Sequence, residues 1–208
     1  MRKELGNMDN KAMFKIGYGL YVLTTKDGEK QNGCIVNTVM QVTSNPNRIC
    51  VAVNKSNHTH NVLMESKCFN VSIISERATF DLFKHFGFQS GRDVDKFKDY
   101  PYAKLALNDV YYVTAGTNAY ISAYVKETID LETHTLFIAD VVNAVTLNDE
   151  PSATYDYYHK NIKKAPETKK KKGWVCKIYG FVYEGEELPE DFVWPICKHG
   201  VQDFERLT

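Results

Sequence analysis

Six consecutive residues, Asn54-Lys55-Ser56-Asn57-His58-Thr59, gather amides, hydroxyls and a cation in one short loop ahead of a segment with helical spacing. A phosphate is held by this combination of hydroxyls, backbone N–H groups and positive charge. The same residues suit an ordinary helix start, because Ser56 or Asn57 is a good N-cap and needs no ligand. Local sequence favours the cap, and the two readings are compatible. A second polar set, Asn37, Thr38, Gln41 and Thr43, interrupts an otherwise apolar strand pair. Such groups must be hydrogen-bonded or they cost stability. The carbonyls and ring nitrogens of a ligand would serve as partners, but a strand with one solvated face produces the same pattern. By itself the segment Ser90-Gly91-Arg92-Asp93-Val94-Asp95-Lys96 is a polar turn before a short helix, and His134 is a hydrogen-bonded histidine at a strand start.

Five cysteines form an odd set. Cys34, Cys50 and Cys68 sit in apolar stretches and read as buried small hydrophobes, with no disulfide framework suggested. Cys176 and Cys197 lie apart from them near the C-terminal end. There is no nucleophile–His–acid triad, no paired-carboxylate motif and no His/Glu cluster, which turns the reading away from hydrolysis. Gly-x-Gly-x-x-Gly and P-loop patterns are absent too.

The elements that must position these residues are mostly strands. Strand patterns run over 18–25, 32–43, 48–54, 68–74, 109–113, 119–129 and 135–147, with hairpin chemistry at Lys26-Asp27-Gly28. Helical spacing marks 58–65, 78–86 and 152–161. Many short strands with few helices predict a barrel. Residues 163–173 carry six lysines and nothing large to bury, so they read as a solvated linker. The expected organisation is a β-rich domain at 1–162, a linker at 163–173 and a small domain at 174–208. The chain has 208 residues, 43% hydrophobic and 25% charged, with a formal net charge of zero. That balance gives no global pull toward nucleic acid or an anionic membrane. No apolar run is long enough to span a bilayer and the N-terminal residues lack a signal-peptide core, so the expected location is the cytoplasm.

Five segments in order resemble one family. They are residues 18–25; Asn32-Gly33-Cys34-Ile35-Val36-Asn37-Thr38 onward to Pro46; 53–59; Phe86-Gly87-Phe88-Gln89-Ser90-Gly91-Arg92 onward to Phe97; and 134–141. Together they are similar to the flavin-reductase-like proteins with an FMN-binding split barrel, the group containing flavoredoxin. The resemblance implies a mainly β fold with a few short helices, assembled as a homodimer with FMN at the subunit interface. It implies a phosphate at Asn54, Lys55, Ser56 and Thr59. Asn37, Thr38, Gln41 and Thr43 would lie along the isoalloxazine ring, largely through backbone contacts. It also brings Lys96 toward the flavin, where a cation would stabilise the anionic reduced ring, and makes His134 a flavin contact. Arg92 could steer either a phosphate or a pyridine nucleotide.

Residues 174–207 resemble a rubredoxin. Trp174, Tyr183, Phe192 and Phe204 match its core aromatics, and Gly180 and Gly200 follow its two knuckles. A rubredoxin holds one iron with four thiolates from two C-x-x-C pairs. Here the pairs read Cys176-x-x-Tyr179 and Trp194-x-x-Cys197. By this resemblance Cys176 and Cys197 are the first and fourth metal ligands, and Tyr179 and Trp194 stand at the second and third. An indole N–H cannot ligate, so the expected site is empty or metal-poor. A Cys176–Cys197 disulfide, a non-native metal completed by water or His199, and thiols bridging two chains remain alternatives. The expected function is an FMN-dependent oxidoreductase that takes electrons from NAD(P)H or a protein donor. In intact two-module relatives of the high-molecular-weight rubredoxin type, electrons pass onward to flavodiiron-type reductases. The alternative is a flavin-binding docking protein whose tail recognises a partner without carrying electrons.

Overall fold

A computed structural model describes residues 10–163, 173–177, 182, 183, 185, 187–189, 192 and 200–207. The chain divides into two compact units, Met1–Ile162 and Lys163–Thr208.

The first unit is mainly β. Its strands are β1 (Tyr21–Asp27), β2 (Lys30–Val36), β3 (Met40–Ser44), β4 (Asn47–Asn54), β5 (Cys68–Ile74), β6 (Ala103–Leu105), β7 (Tyr111–Val113), β8 (Thr117–Leu131) and β9 (His134–Thr146). Two longer helices, α1 (His58–Ser66) and α2 (Phe80–Gly87), flank β5 in sequence. Seven strands form one antiparallel sheet in the order β2-β1-β5-β8-β9-β4-β3. The long β8–β9 pair shifts register at Ser122/Ala123 and at Val125/Glu127. Such bulges bend a strand and raise its twist. The sheet curls until β4 comes alongside β2 without ladder pairing, which leaves a barrel with one open seam.

Alternation along β1 explains why the sheet is covered on both faces. Leu23 points into a barrel interior with Val51, Val71, Phe69 and Phe137. Its neighbour Val22 points outward, under Leu82, Phe83 and Phe86 of α2. Side chains of a strand alternate faces, so one apolar run serves two cores.

Two sequence expectations are corrected. The strand expected over 32–43 is two strands with a step at residues 37–39. Thr38 explains the step: its Oγ1 donates to the Ala52 carbonyl at 2.9 Å and accepts the Ala52 N–H at 3.1 Å. One hydroxyl thus replaces a ladder pair. The helix expected over 152–161 is one α-turn (Tyr155–Tyr157) running into a π-turn (Tyr158–Ile162), and its rings pack on Phe80 and Phe83.

The second unit contains a three-stranded antiparallel sheet, order β11-β10-β12, from β10 (Gly173–Cys176), β11 (Val182–Tyr183) and β12 (Phe204–Leu207). Phe192 packs between Tyr183 and Phe204, with ring centroids 4.8 and 5.5 Å away. Cys176 is 1% exposed. Tyr179, Gly180, Trp194, Cys197 and His199, and residues 164–172 of the lysine run, lie outside the described residues. Among the described residues, no three His, Cys, Asp or Glu side chains gather as a metal site, and no helix is long and apolar enough to cross a membrane.

Candidate functional site

The turn after β4 is held by its first residue. Asn54 Oδ1 accepts the Ser56 N–H at 2.8 Å, an Asx turn, and the Asn54 carbonyl accepts the Asn57 N–H at 3.0 Å. Asn57 is the N-cap of α1, yet its side chain makes no capping bond. The expected cap is therefore replaced by a turn that leaves the first N–H groups of α1 uncapped by any side chain. Such an end carries partial positive charge and attracts anions.

Three cationic side chains, Lys55, Arg92 and Lys30, stand near this helix end. Lys55 Nζ lies 2.7 Å from both carboxylate oxygens of Asp130, and its backbone N–H donates to the Thr133 carbonyl at 3.0 Å. Arg92 Nη1 donates to the Ser56 carbonyl at 3.3 Å. Among the described residues no carboxylate pairs with Arg92 or Lys30. His58 feels both: burial, then the Arg92 and Lys30 charges, push its pKa below the ordinary value, with Asp27 opposing. The turn therefore sits in a positive field.

The loop bearing Arg92 is seated by a glycine. A Cβ on Gly91 would overlap the buried side-chain amide of Asn32, so any other residue there displaces Asn32. Asn32 Oδ1 in turn accepts the Thr59 hydroxyl at 2.8 Å in a buried bond. Thr59 is thus a brace between α1 and β2. His134 pairs with Asn54 across the β4–β9 ladder, and its Nδ1 lies 2.9 Å from Thr133 Oγ1. Asn54, Lys55, Ser56, Thr59 and His134 lie close together, with Thr59 turned inward to Asn32.

Lys96 stands behind β2. Its ammonium donates to the Gly33 carbonyl at 2.8 Å and the Phe86 carbonyl at 2.9 Å, and it is 4% exposed. Burial lowers its pKa, with the neighbouring Cys34 thiol acting in the opposite direction. The Lys96 carbonyl faces His85 Nε2 at 2.6 Å. The ammonium is engaged with protein carbonyls at the end of α2, not presented on an open surface.

The remaining polar set is dispersed. Asn37 is half-buried in the step after β2, and Thr38 is spent on Ala52. Gln41 and Thr43 lie on β3, which is exposed along its whole length. Gln41 Nε2 donates to Asn47 Oδ1 at 3.0 Å and Thr43 Oγ1 to the Pro46 carbonyl at 2.5 Å. Here the solvated-face reading describes the geometry. A cleft of about 240 Å³ opens beside the start of β3, lined by Tyr21, Val39, Met40, Gln41, Ile73 and Ile121 among others. The sequence reading missed Asn32, Asp130 and the seat provided by Gly91. For Gly91 the signal was present, as a glycine directly before an arginine in a polar loop.

Residues 13–166 match the family model described as the flavin reductase like domain. The chain belongs to this family. It is an oxidoreductase that works by flavin-dependent electron transfer. It is 35% identical to the high molecular weight rubredoxin of Moorella thermoacetica over 96% of this chain and 100% of that one. It is 40% identical to the ferric-chelate reductase (NAD(P)H) of Archaeoglobus fulgidus over 73% of this chain and 89% of that one. The first unit also shares its fold with a Thermus thermophilus FMN-binding protein, at a TM-score of 0.60 and 22% identity, covering 70% of this chain and 80% of that one. The expected split barrel of a flavin-reductase-like protein is the fold observed.

Proposed function

We propose that the barrel binds FMN as a homodimer, with its phosphate on the Asn54–Thr59 turn and its ring along the step at Asn37 and Thr38. It takes electrons from NAD(P)H and passes them to a redox partner such as a flavodiiron-type reductase. The observation that carries this reading is the positive start of α1, where the N-cap Asn57 makes no side-chain capping bond and Arg92 stands at the Ser56 carbonyl. Hydroxyl, backbone N–H and guanidinium donors are the set that a phosphate monoester needs. A bound flavin supplies a ring that accepts two electrons together and can release them singly. The protein's part is to hold and orient it: Thr38 fixes the step against Ala52, Lys96 fixes β2 behind the site, and His134 lies beside Asn54. The exposed edge strand β3, with Met40 60% exposed, supports pairing with a second copy, because an unpaired apolar edge favours a partner.

NAD(P)H as donor is supported by the name of the Archaeoglobus relative, and a fused rubredoxin-like domain at 174–208, beyond a linker at 163–173, by the full-length match to the Moorella protein. The test is a titration of purified protein with FMN followed by anaerobic NAD(P)H. A yellow complex that bleaches on NAD(P)H addition, with FMN affinity reduced about tenfold in Arg92→Ala, is the expected result. A colourless protein after FMN addition refutes the proposal.

A further inference from the structure

The turn assigned to the phosphate carries its own counter-charge. Asp130 grips Lys55 with both carboxylate oxygens at 2.7 Å. The same Oδ1 accepts the Glu132 N–H at 2.7 Å, where Glu132 adopts φ +63° at the tip between β8 and β9. Burial plays little part in the low pKa of Asp130, which comes first from its bond to Lys55 and then from the Glu132 N–H. The hairpin tip therefore brings a carboxylate to a turn otherwise ringed by cations. On the other side Arg92 has no carboxylate partner among the described residues. The positive charge of the turn is divided into a neutralised half and an open half.

We propose that Asp130 sets the affinity of this turn for phosphate: by pairing with Lys55 it offsets that charge, leaves Arg92 as the open charge, and so keeps the cofactor exchangeable. This rests on the FMN reading above. The pair is exposed, so an incoming dianion competes for Lys55 in high dielectric. The carboxylate nevertheless stays well within a Debye length of the turn and repels the dianion.

Asp130→Asn is a clean perturbation, because the amide oxygen can still accept the Glu132 N–H while the charge is gone. FMN should bind about five- to tenfold more tightly in low salt, and the gain should shrink as salt rises. Riboflavin, which lacks the phosphate, should show no gain. Adding Lys55→Met to Asp130→Asn should return the FMN affinity to the wild-type level, a non-additive pair. FMN affinity that is unchanged or weaker in Asp130→Asn, in a protein whose wild type binds FMN, overturns this proposal alone. So does an equal gain for riboflavin. A wild-type protein that binds no FMN overturns both this proposal and the reading beneath it.

Discussion

Lys96→Met separates two roles for one lysine. The family resemblance brings this ammonium toward the flavin, whereas the structure holds it between two carbonyls. Phe86 is in the last turn of α2, so its carbonyl has no intrahelical partner, and a cation there also meets the negative end of the helix. Gly33 lies on β2, the terminal strand of the sheet, and Lys96 covers that edge. A hydrogen bond to a charged group contributes roughly 1.5–3 kcal/mol. Two such bonds, offset by the desolvation that lowers the lysine's pKa, leave a net of about 2–3 kcal/mol. Methionine keeps an apolar stem and removes only the ammonium. At about 2–4 °C per kcal/mol for a chain of this size, the melting midpoint should fall by roughly 4–12 °C.

The pH dependence adds a second signature. The folded-state pKa of Lys96 is lowered below 10.5, so above that folded value the unfolded chain binds more protons. Stability from this group therefore rises as pH climbs from the folded pKa toward the unfolded one. The wild-type-minus-variant difference in stability, from thermal melts across alkaline pH, should show that rise. An unchanged melting midpoint together with a shifted flavin reduction potential would refute the carbonyl clamp and restore the role at the flavin edge.

Three further outcomes follow from the same geometry. Burial pushes Tyr158 and Tyr100 up to about 12 from 10.0, so their neutral forms stabilise the fold below pH 10 and that stability is lost between pH 10 and about 12. Each ring contributes at most roughly 2 kcal/mol once solvent screening is allowed for, and Tyr158→Phe should flatten the alkaline loss in pH-scanned melts; an undiminished loss would place the cause elsewhere. Gly91→Val drives a branched side chain into Asn32, so FMN titration should show affinity reduced at least tenfold, and unaltered affinity would detach the Arg92 loop from the site. Tyr179→Cys combined with Trp194→Cys should recover stoichiometric iron by metal assay, with failure meaning that the two knuckles no longer share a tetrahedral frame.

Local pattern and long-range partnership were legible to different degrees. The strand pattern over 18–25 predicted β1 to within three residues, and the polar run at 54–59 predicted a turn into a helix, because both are set by neighbours a few residues apart. Asn57 stands at the expected cap position but makes no capping bond, and it is Asn54, two residues before Ser56, whose side chain shapes the turn. The step after β2 was hidden because Thr38 reads as one more alternating residue, and its hydroxyl replaces a ladder bond to a strand 14 residues away. Asp130 lies 75 residues from Lys55, and Lys96 lies 63 from Gly33. No periodicity reports such pairs; only the closing of the sheet between β9 and β4, and the packing of α2 on β2, creates them. The functional consequence is specific. Under the proposed FMN reading, the six-residue turn offers donors for a phosphate, and the hairpin tip, where a distant carboxylate offsets one of its charges, sets how tightly it holds one.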